Sequence, residues 1–156
     1  MALGFPLYTD LTGNNCTIFG GGENVMRRVR ELRRFGAKVT VISPTLCPAL
    51  EQMSEAGEIR HIPRKYYRGD CTNAQMCVAA TDDTATNIAI ATECKAKGIP
   101  VNVTNPKGFG NFGFPRAIVT DHVVISVDGD LTADKLAKLR DKLEAALPAM
   151  LQEIEE

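Results

Sequence analysis

The chain has 156 residues, a formal charge of −1, 44% hydrophobic and 24% charged residues. Such a composition fits about one globular domain and excludes disordered, collagen-like and disulfide-scaffold classes. A near-zero charge argues against a nucleic-acid binder, and no apolar run approaches the ~18 residues that cross a bilayer, so neither nucleic acid nor membrane is expected as a partner.

The amino terminus, Met1-Ala2-Leu3-Gly4-Phe5-Pro6, lacks a basic stretch followed by an apolar one and does not read as a signal peptide. Cys16-Thr17-Ile18-Phe19 is a short apolar, β-branched run that stops at Gly20-Gly21-Gly22, the pattern of a buried strand ending in a glycine turn. Val25, Val29 and Leu32 then recur with helical period, and Gly36 supplies a stop. Val39-Thr40-Val41-Ile42 is a second apolar run, closed by Ser43-Pro44. Strand, glycine turn, helix and strand make a βαβ unit with parallel strands and a right-handed crossover. Alternation continues with a helix over 46–56, a strand over 58–62, a strand over 76–80, a helix over 84–97 and a strand over 101–103. Asp83 is the candidate N-cap of the fourth of these elements and Gly98 its stop. The prediction is an α/β fold, a Rossmann-like doubly wound parallel sheet over 1–112.

From Asn105 the pattern changes to a glycine-containing loop, then to a hairpin over 117–119 and 123–127. A helix over 131–147 follows, with Leu136, Leu139 and Leu143 on one face, and Pro148 is read as a break before a short acidic terminal helix. A hairpin and one amphipathic helix make a poor core of their own. The segment 113–156 is therefore expected to be a small α+β dimerisation element.

The five cysteines, Cys16, Cys47, Cys71, Cys77 and Cys94, are odd in number and contain no C-x-x-C pair, and His61 and His122 lie far from them in sequence. This reads as free thiols in a reducing, cytoplasmic compartment with no metal site. The charge, by contrast, is patterned. Residues 1–72 carry 10 basic and 7 acidic side chains, and residues 73–156 carry 8 and 12. Five arginines, Arg27, Arg28, Arg30, Arg33 and Arg34, crowd the first helix. They are either a solvated face or an electrostatic collar for a polyanion.

Gly20-x-Gly22 between a strand and a helix is the context of a dinucleotide-binding turn. The first glycine permits the turn, the second lets a pyrophosphate approach the backbone, and the helix N-terminus favours the anion. The third fingerprint position holds Val25, which implies a shifted helix–strand packing. A glycine turn without a ligand is the plainer alternative. Where an NAD site usually has an acidic residue, this chain has Ser43, which can bond a ribose but does not repel a 2′-phosphate, so NAD and NADP are both open. Asp82 and Asp83 follow a strand's carboxyl end and are either proton-handling groups or helix caps, and His122 sits in a turn.

At this point the chain resembles the precorrin-2 dehydrogenases, the siroheme synthase amino-terminal module. The resemblance is carried by Phe5-Pro6-Leu7-Tyr8, Leu11-x-Gly13, Gly20-Gly21-Gly22-Glu23, Arg27-Arg28 and Gly36-Ala37-Lys38-Val39-Thr40-Val41. It continues through Ser43-Pro44, Arg64-x-Tyr66, Ala79-Ala80-Thr81-Asp82-Asp83, Asn87, Val101-Asn102-Val103 and Phe112-x-Phe114-Pro115. It implies NAD-dependent oxidation of precorrin-2 to sirohydrochlorin on the way to siroheme or cobalamin, in a homodimer; some members also insert ferrous or cobaltous ion. The residues it assigns to the cofactor are Gly20, Gly21, Gly22, Glu23, Asn24, Val25, Ser43, Pro44, Thr45, Ala80 and Thr81. The family's catalytic aspartate falls on Asn105 here, with Asp82 as a replacement candidate. An amide neither takes up a proton nor binds a metal at neutral pH. Two further departures are Asp128-Gly129-Asp130 in place of a small polar loop and an end at Glu156, where many members continue into a helical segment. The expectation is a tetrapyrrole dehydrogenase impaired at position 105, or a non-catalytic relative that binds dinucleotide or tetrapyrrole and acts through a protein partner.

Overall fold

The computed structural model describes residues 4–155. Met1, Ala2 and Leu3, part of the stretch read above as no signal peptide, lie outside the described residues. Five parallel strands form one sheet: β1 (Asn15–Phe19), β2 (Lys38–Ile42), β3 (Arg60–Ile62), β4 (Met76–Ala79) and β5 (Val101–Val103). Their order is β3-β2-β1-β4-β5. Strand order therefore reverses direction between β1 and β4, so their carboxyl ends open a crevice at the topological switch point. β1 registers Phe19 against Ile42 on one side and Ala79 on the other. Cys16, Ile18 and Phe19 of β1 and Cys77, Val78 and Ala79 of β4 are wholly buried, the near-continuous apolar signature of strands covered on both faces.

The helices α1 (Met26–Arg34), α2 (Pro48–Glu55) and α3 (Thr84–Ala96) belong to the same unit. α1 buries Met26, Val29 and Leu32 and leaves its arginines on the other faces. Arg33 and Arg34 occupy its last turn, where cations complement the helix dipole, and Arg33 pairs with Glu58. α3 is capped as expected: the Asp83 carboxylate accepts the Thr86 N–H at 3.0 Å. A core of Phe19, Ile42, Cys77, Ile90, Ala91 and Val101 joins sheet to helix, with Tyr66 edge-on to Phe19 at 5.4 Å. Each large apolar side chain so buried contributes about 1.5–3 kcal/mol.

Glu93 pins the connection between β3 and β4 to α3. Its carboxylate accepts the Lys97 ammonium at 2.8 Å, the Gly69 N–H at 3.0 Å and the Tyr66 hydroxyl. Burial pushes the Glu93 carboxyl up, but those donors outweigh it and hold it at about 2. Because the folded value lies below the unfolded one, this stability is complete above the unfolded carboxylate pKa and is lost as pH falls through the folded value. Thermal melts should therefore show a loss of stability between pH ~4.5 and ~2 of at most about 3 kcal/mol. Glu93→Gln should lack most of that acid-limb loss; an unchanged acid limb would remove the assignment.

The second unit comprises Phe114–Glu156 together with the described residues up to Tyr8, whereas the sheet unit is Thr9–Gly113. The sheet domain is expected over 1–112, whereas the described residues before Thr9 group with the carboxyl-terminal unit, a non-local association that no local pattern announces. The unit contains an antiparallel pair, β6 (Arg116–Val119) and β7 (Val124–Val127), with α4 (Ala133–Glu155) packed on both. Pro148 does not break the helix as the sequence suggested; α4 runs through it. Ala145, Ala146, Ala149 and Leu151 around it are strong helix formers, and the missing N–H removes only one bond of the ladder. Leu136 and Leu147 are buried, as are Ile118 and Val127, but Leu139 is 41% exposed, so the predicted leucine face is only partly covered.

Candidate functional site

The loop after β1 packs backbone to backbone against two others. A Cβ built on Gly20 would lie 2.4 Å from the Ala80 carbonyl oxygen, and Gly20 has φ +121°, a conformation L side chains rarely adopt. A Cβ on Gly21 would lie 2.0 Å from the Thr45 carbonyl oxygen and 2.9 Å from Ser43 Oγ. The Cys47 N–H donates to the Gly21 carbonyl at 2.7 Å, and the Gly20 N–H to the Ile42 carbonyl at 3.1 Å. Three segments of the sequence-derived set, Gly20-Gly21-Gly22, Ser43-Pro44-Thr45 and Ala80-Thr81, are thus one contiguous rim above β2, β1 and β4. Gly22 differs from its neighbours. It is exposed, and a Cβ there would meet only the Asn24 side chain. This is the point where a ligand can approach the main chain.

Glu23, Asn24 and Val25 form a single 3-10 turn before α1 begins at Met26. Val25 is wholly buried. The valine at the third fingerprint position is thus accommodated by a turn inserted between loop and helix, a shifted packing rather than an open one. At the β2 end, Ser43 is buried and its carbonyl accepts a hydrogen bond from His61 Nε2 at 2.9 Å.

Asp82 and Asp83 separate in role. Asp83 caps α3, and its bonds from the Thr86 side chain and N–H hold its carboxyl below the usual carboxylate range. Asp82 is exposed beside Thr81. Asn105 is exposed at the start of the loop leaving β5, and its Nδ2 donates to Thr84 Oγ1 at 3.3 Å. His122 lies in the exposed β6–β7 turn. Of the arginine cluster, Arg33 is taken by Glu58, while Arg28 is half-buried and its guanidinium is lowered first by burial and then by Arg27.

Asn87, one of the residues that carry the resemblance, is assigned no role by the sequence, yet it organises the site. It is wholly buried in α3. Its Oδ1 accepts from the Thr81 N–H at 3.0 Å and the Thr81 hydroxyl at 2.7 Å; its Nδ2 donates to the Thr81 carbonyl at 2.9 Å and the Asn105 carbonyl at 2.8 Å. One amide thereby ties the β4 end to the β5 end and sets the rim's second half. The signal was an asparagine on the buried face of a predicted helix, a position that needs full hydrogen bonding to be tolerated. Asn87→Leu should cost about 3 kcal/mol of stability, because it leaves buried backbone groups without partners. Asn87→Asp should cost a similar amount by opposing two carbonyl oxygens with a carboxylate. Urea unfolding checks both, and a loss well under 1 kcal/mol in each would remove the clamp.

A parallel sheet of this order, with a glycine turn at its switch point, defines a Rossmann domain of the dinucleotide-binding class. A family model described as "Putative NAD(P)-binding" matches residues 7–116, and the chain belongs to that family. Among curated relatives, the siroheme synthase of Chromobacterium violaceum is 34% identical over 146 residues, covering 93% of this chain and 31% of the relative. The siroheme synthase of Methylobacillus flagellatus is 35% identical over 145 residues, covering 92% and 31%. The chain thus spans about a third of the length of the curated relatives it matches. A solved structure titled SirC, precorrin-2 dehydrogenase, superposes with a TM-score of 0.72 at 23% identity, over 90% of this chain and 70% of that one. That likeness is one of fold, and it covers nearly the whole chain. The dinucleotide expected from the glycine loop, and the NAD expected from the resemblance, agree with the NAD(P)-binding family, and the cradle fits such a group: two glycines closed against neighbouring backbone and a third open to solvent.

Proposed function

We propose that the chain binds NAD at the Gly20–Gly22 loop and catalyses oxidation of precorrin-2 to sirohydrochlorin in siroheme or cobalamin biosynthesis. The observation that carries this is the open Gly22 at the β1–β4 switch point, in a chain whose relatives are siroheme synthases. A bound nicotinamide supplies the two-electron acceptor that such an oxidation needs. What the chain itself supplies is position. Gly20 and Gly21 shape the turn, Ser43 stands at the β2 end for the ribose, and Asn87 sets Thr81 and Asn105. Asp82 and Asn105 are the polar side chains offered at the β4 and β5 ends, and Asp82 is the one of the two able to exchange a proton.

A second reading is favoured by Asn105 itself: a dinucleotide- or tetrapyrrole-binding relative that acts through a protein partner. Calorimetric titration with NAD, followed by incubation with precorrin-2 and NAD while sirohydrochlorin absorbance is recorded, separates the readings. Binding with turnover supports the dehydrogenase, binding without turnover supports the relative, and no binding of NAD or NADP removes both cofactor-based versions. We place the protein as a cytoplasmic homodimer assembled through the second unit, whose Leu131, Leu139, Met150 and Ile154 are exposed. Among the described residues no helix is long and apolar enough to cross a membrane. Light scattering at micromolar concentration should give twice the chain mass, and Leu139→Asp with Ile154→Asp should shift it to the monomer. A wild-type monomer would end the dimer assignment.

A further inference from the structure

The cysteines have no metal-ligand spacing in sequence, yet the fold gathers three of them. Cys71, Cys77 and Cys94 are separated by intervals that match no local motif, but their sulfurs all lie within 4.8 Å of one another. Each comes from a different piece of structure: Cys71 from the turns before β4, Cys77 from β4 and Cys94 from the buried face of α3. All three are wholly buried, within the core that also holds Ala74, Ala79, Ile90 and Ile99.

We propose that Cys71, Cys77 and Cys94 bind one thiophilic metal ion through three sulfurs alone, copper(I) in preference to zinc(II). Metal–sulfur bonds of ~2.3 Å require sulfurs about 4 Å apart, so closing this triad takes movements of under ~1 Å. Zinc in a structural site takes four ligands. Among the described residues no histidine or carboxylate joins the group, and its complete burial keeps water from the fourth position. Soft thiolates with low coordination number suit copper(I). Lys97 brings positive charge toward Cys94, against the opposing charge of Glu93. Binding releases thiol protons to solvent, and no electron is transferred. The shortest entry is on the Cys71 side, where Thr72 and Asn73 are exposed; opening it breaks the backbone bonds from Thr72 and Ala74 and the Lys97–Thr72 contact, while the Arg64–Asp70 pair and the Gly69–Glu93 bond can stay in place. Local opening of such a turn is ordinary native-state behaviour.

The plainer reading is that three small thiols pack as apolar groups. The two are separated by titrating the reduced full-length chain anaerobically with copper(I) delivered from a chromophoric chelator, with zinc(II) in a parallel series. The expected result is one copper(I) held per chain, three sulfur neighbours in its X-ray absorption spectrum, and weaker zinc binding. Cys71→Ala, in the turn and least disruptive to the core, and Cys94→Ala should each weaken copper binding on the order of 100-fold. Cys16→Ala and Cys47→Ala should not. Where a variant misfolds by circular dichroism, the wild type gives the answer: bound copper should protect Cys71, Cys77 and Cys94 from alkylation after partial denaturation, and leave Cys16 and Cys47 reactive. Failure of the wild type to hold copper against the chelator, or unchanged affinity in folded Cys71→Ala, overturns the site. NAD binding is read on the same samples and does not depend on this outcome.

Discussion

Alanine at Gly21 is expected to remove dinucleotide binding and about 2–4 kcal/mol of stability, although the residue touches no core side chain. The added methyl would fall 2.0 Å from the Thr45 carbonyl oxygen, a backbone atom that cannot rotate away. Relief requires the 43–47 segment to move off the glycine loop, which breaks the 2.7 Å bond from the Cys47 N–H to the Gly21 carbonyl. Gly20→Ala should be worse. It adds a left-handed backbone conformation, about 1–3 kcal/mol for an L residue, to a 2.4 Å encounter with the Ala80 carbonyl. Against a typical domain stability of ~5–15 kcal/mol, this places Gly20→Ala near the folding limit.

Gly22→Ala is the informative contrast. Its φ of −82° suits any residue, and its methyl meets only the movable Asn24 side chain. Stability should change by less than ~0.5 kcal/mol, while NAD affinity falls about 10-fold or more because the methyl occupies the side from which phosphate approaches. Chemical denaturation and NAD calorimetry on the three variants give the full pattern. A Gly21→Ala protein as stable as wild type, or a Gly22→Ala protein with unaltered affinity, would falsify this account of the loop.

The division between these glycines also shows what the sequence could and could not tell. Gly20-Gly21-Gly22 between Phe19 and Val25 was legible as a strand, a turn and a helix because apolar period and glycine position are local signals. So were the strands around Val39, Val78 and Val101, and the Asp83 cap. The distinction between glycines closed by Ala80 or Thr45 and one open to solvent was not legible, since it depends on loops about 25 and 60 residues away. The same holds for Asn87, whose four hydrogen bonds run to residues of two strand ends, and for Cys71, Cys77 and Cys94, whose spacing carries no motif. Pro148 failed for the opposite reason. A proline is a strong local stop signal, and here the helix formers on either side outweigh it, so α4 runs through.

Asn105→Asp is expected to raise precorrin-2 oxidation by on the order of 100-fold, a gain within the usual range for a positioned proton-transfer group. This expectation rests on the dehydrogenase reading. The substitution changes no atom of the backbone carbonyl that accepts from Asn87 at 2.8 Å, so the rim should keep its shape. The Thr84 hydroxyl, now 3.3 Å from the Asn105 amide nitrogen, can donate to the new carboxylate. Thr84 is also the first residue of α3, and a helix N-terminus favours negative charge, so the new group should be ionised at neutral pH. Turnover by Asn105→Asp should consequently decline as acid protonates that group, whereas any wild-type turnover should lack this limb. NAD affinity should stay within about 2-fold, since the changed group exchanges protons rather than shaping the glycine loop. Equal turnover in the two proteins would show that position 105 takes no part in the chemistry. Tight NAD binding by both with turnover by neither would leave the binding relative as the surviving reading.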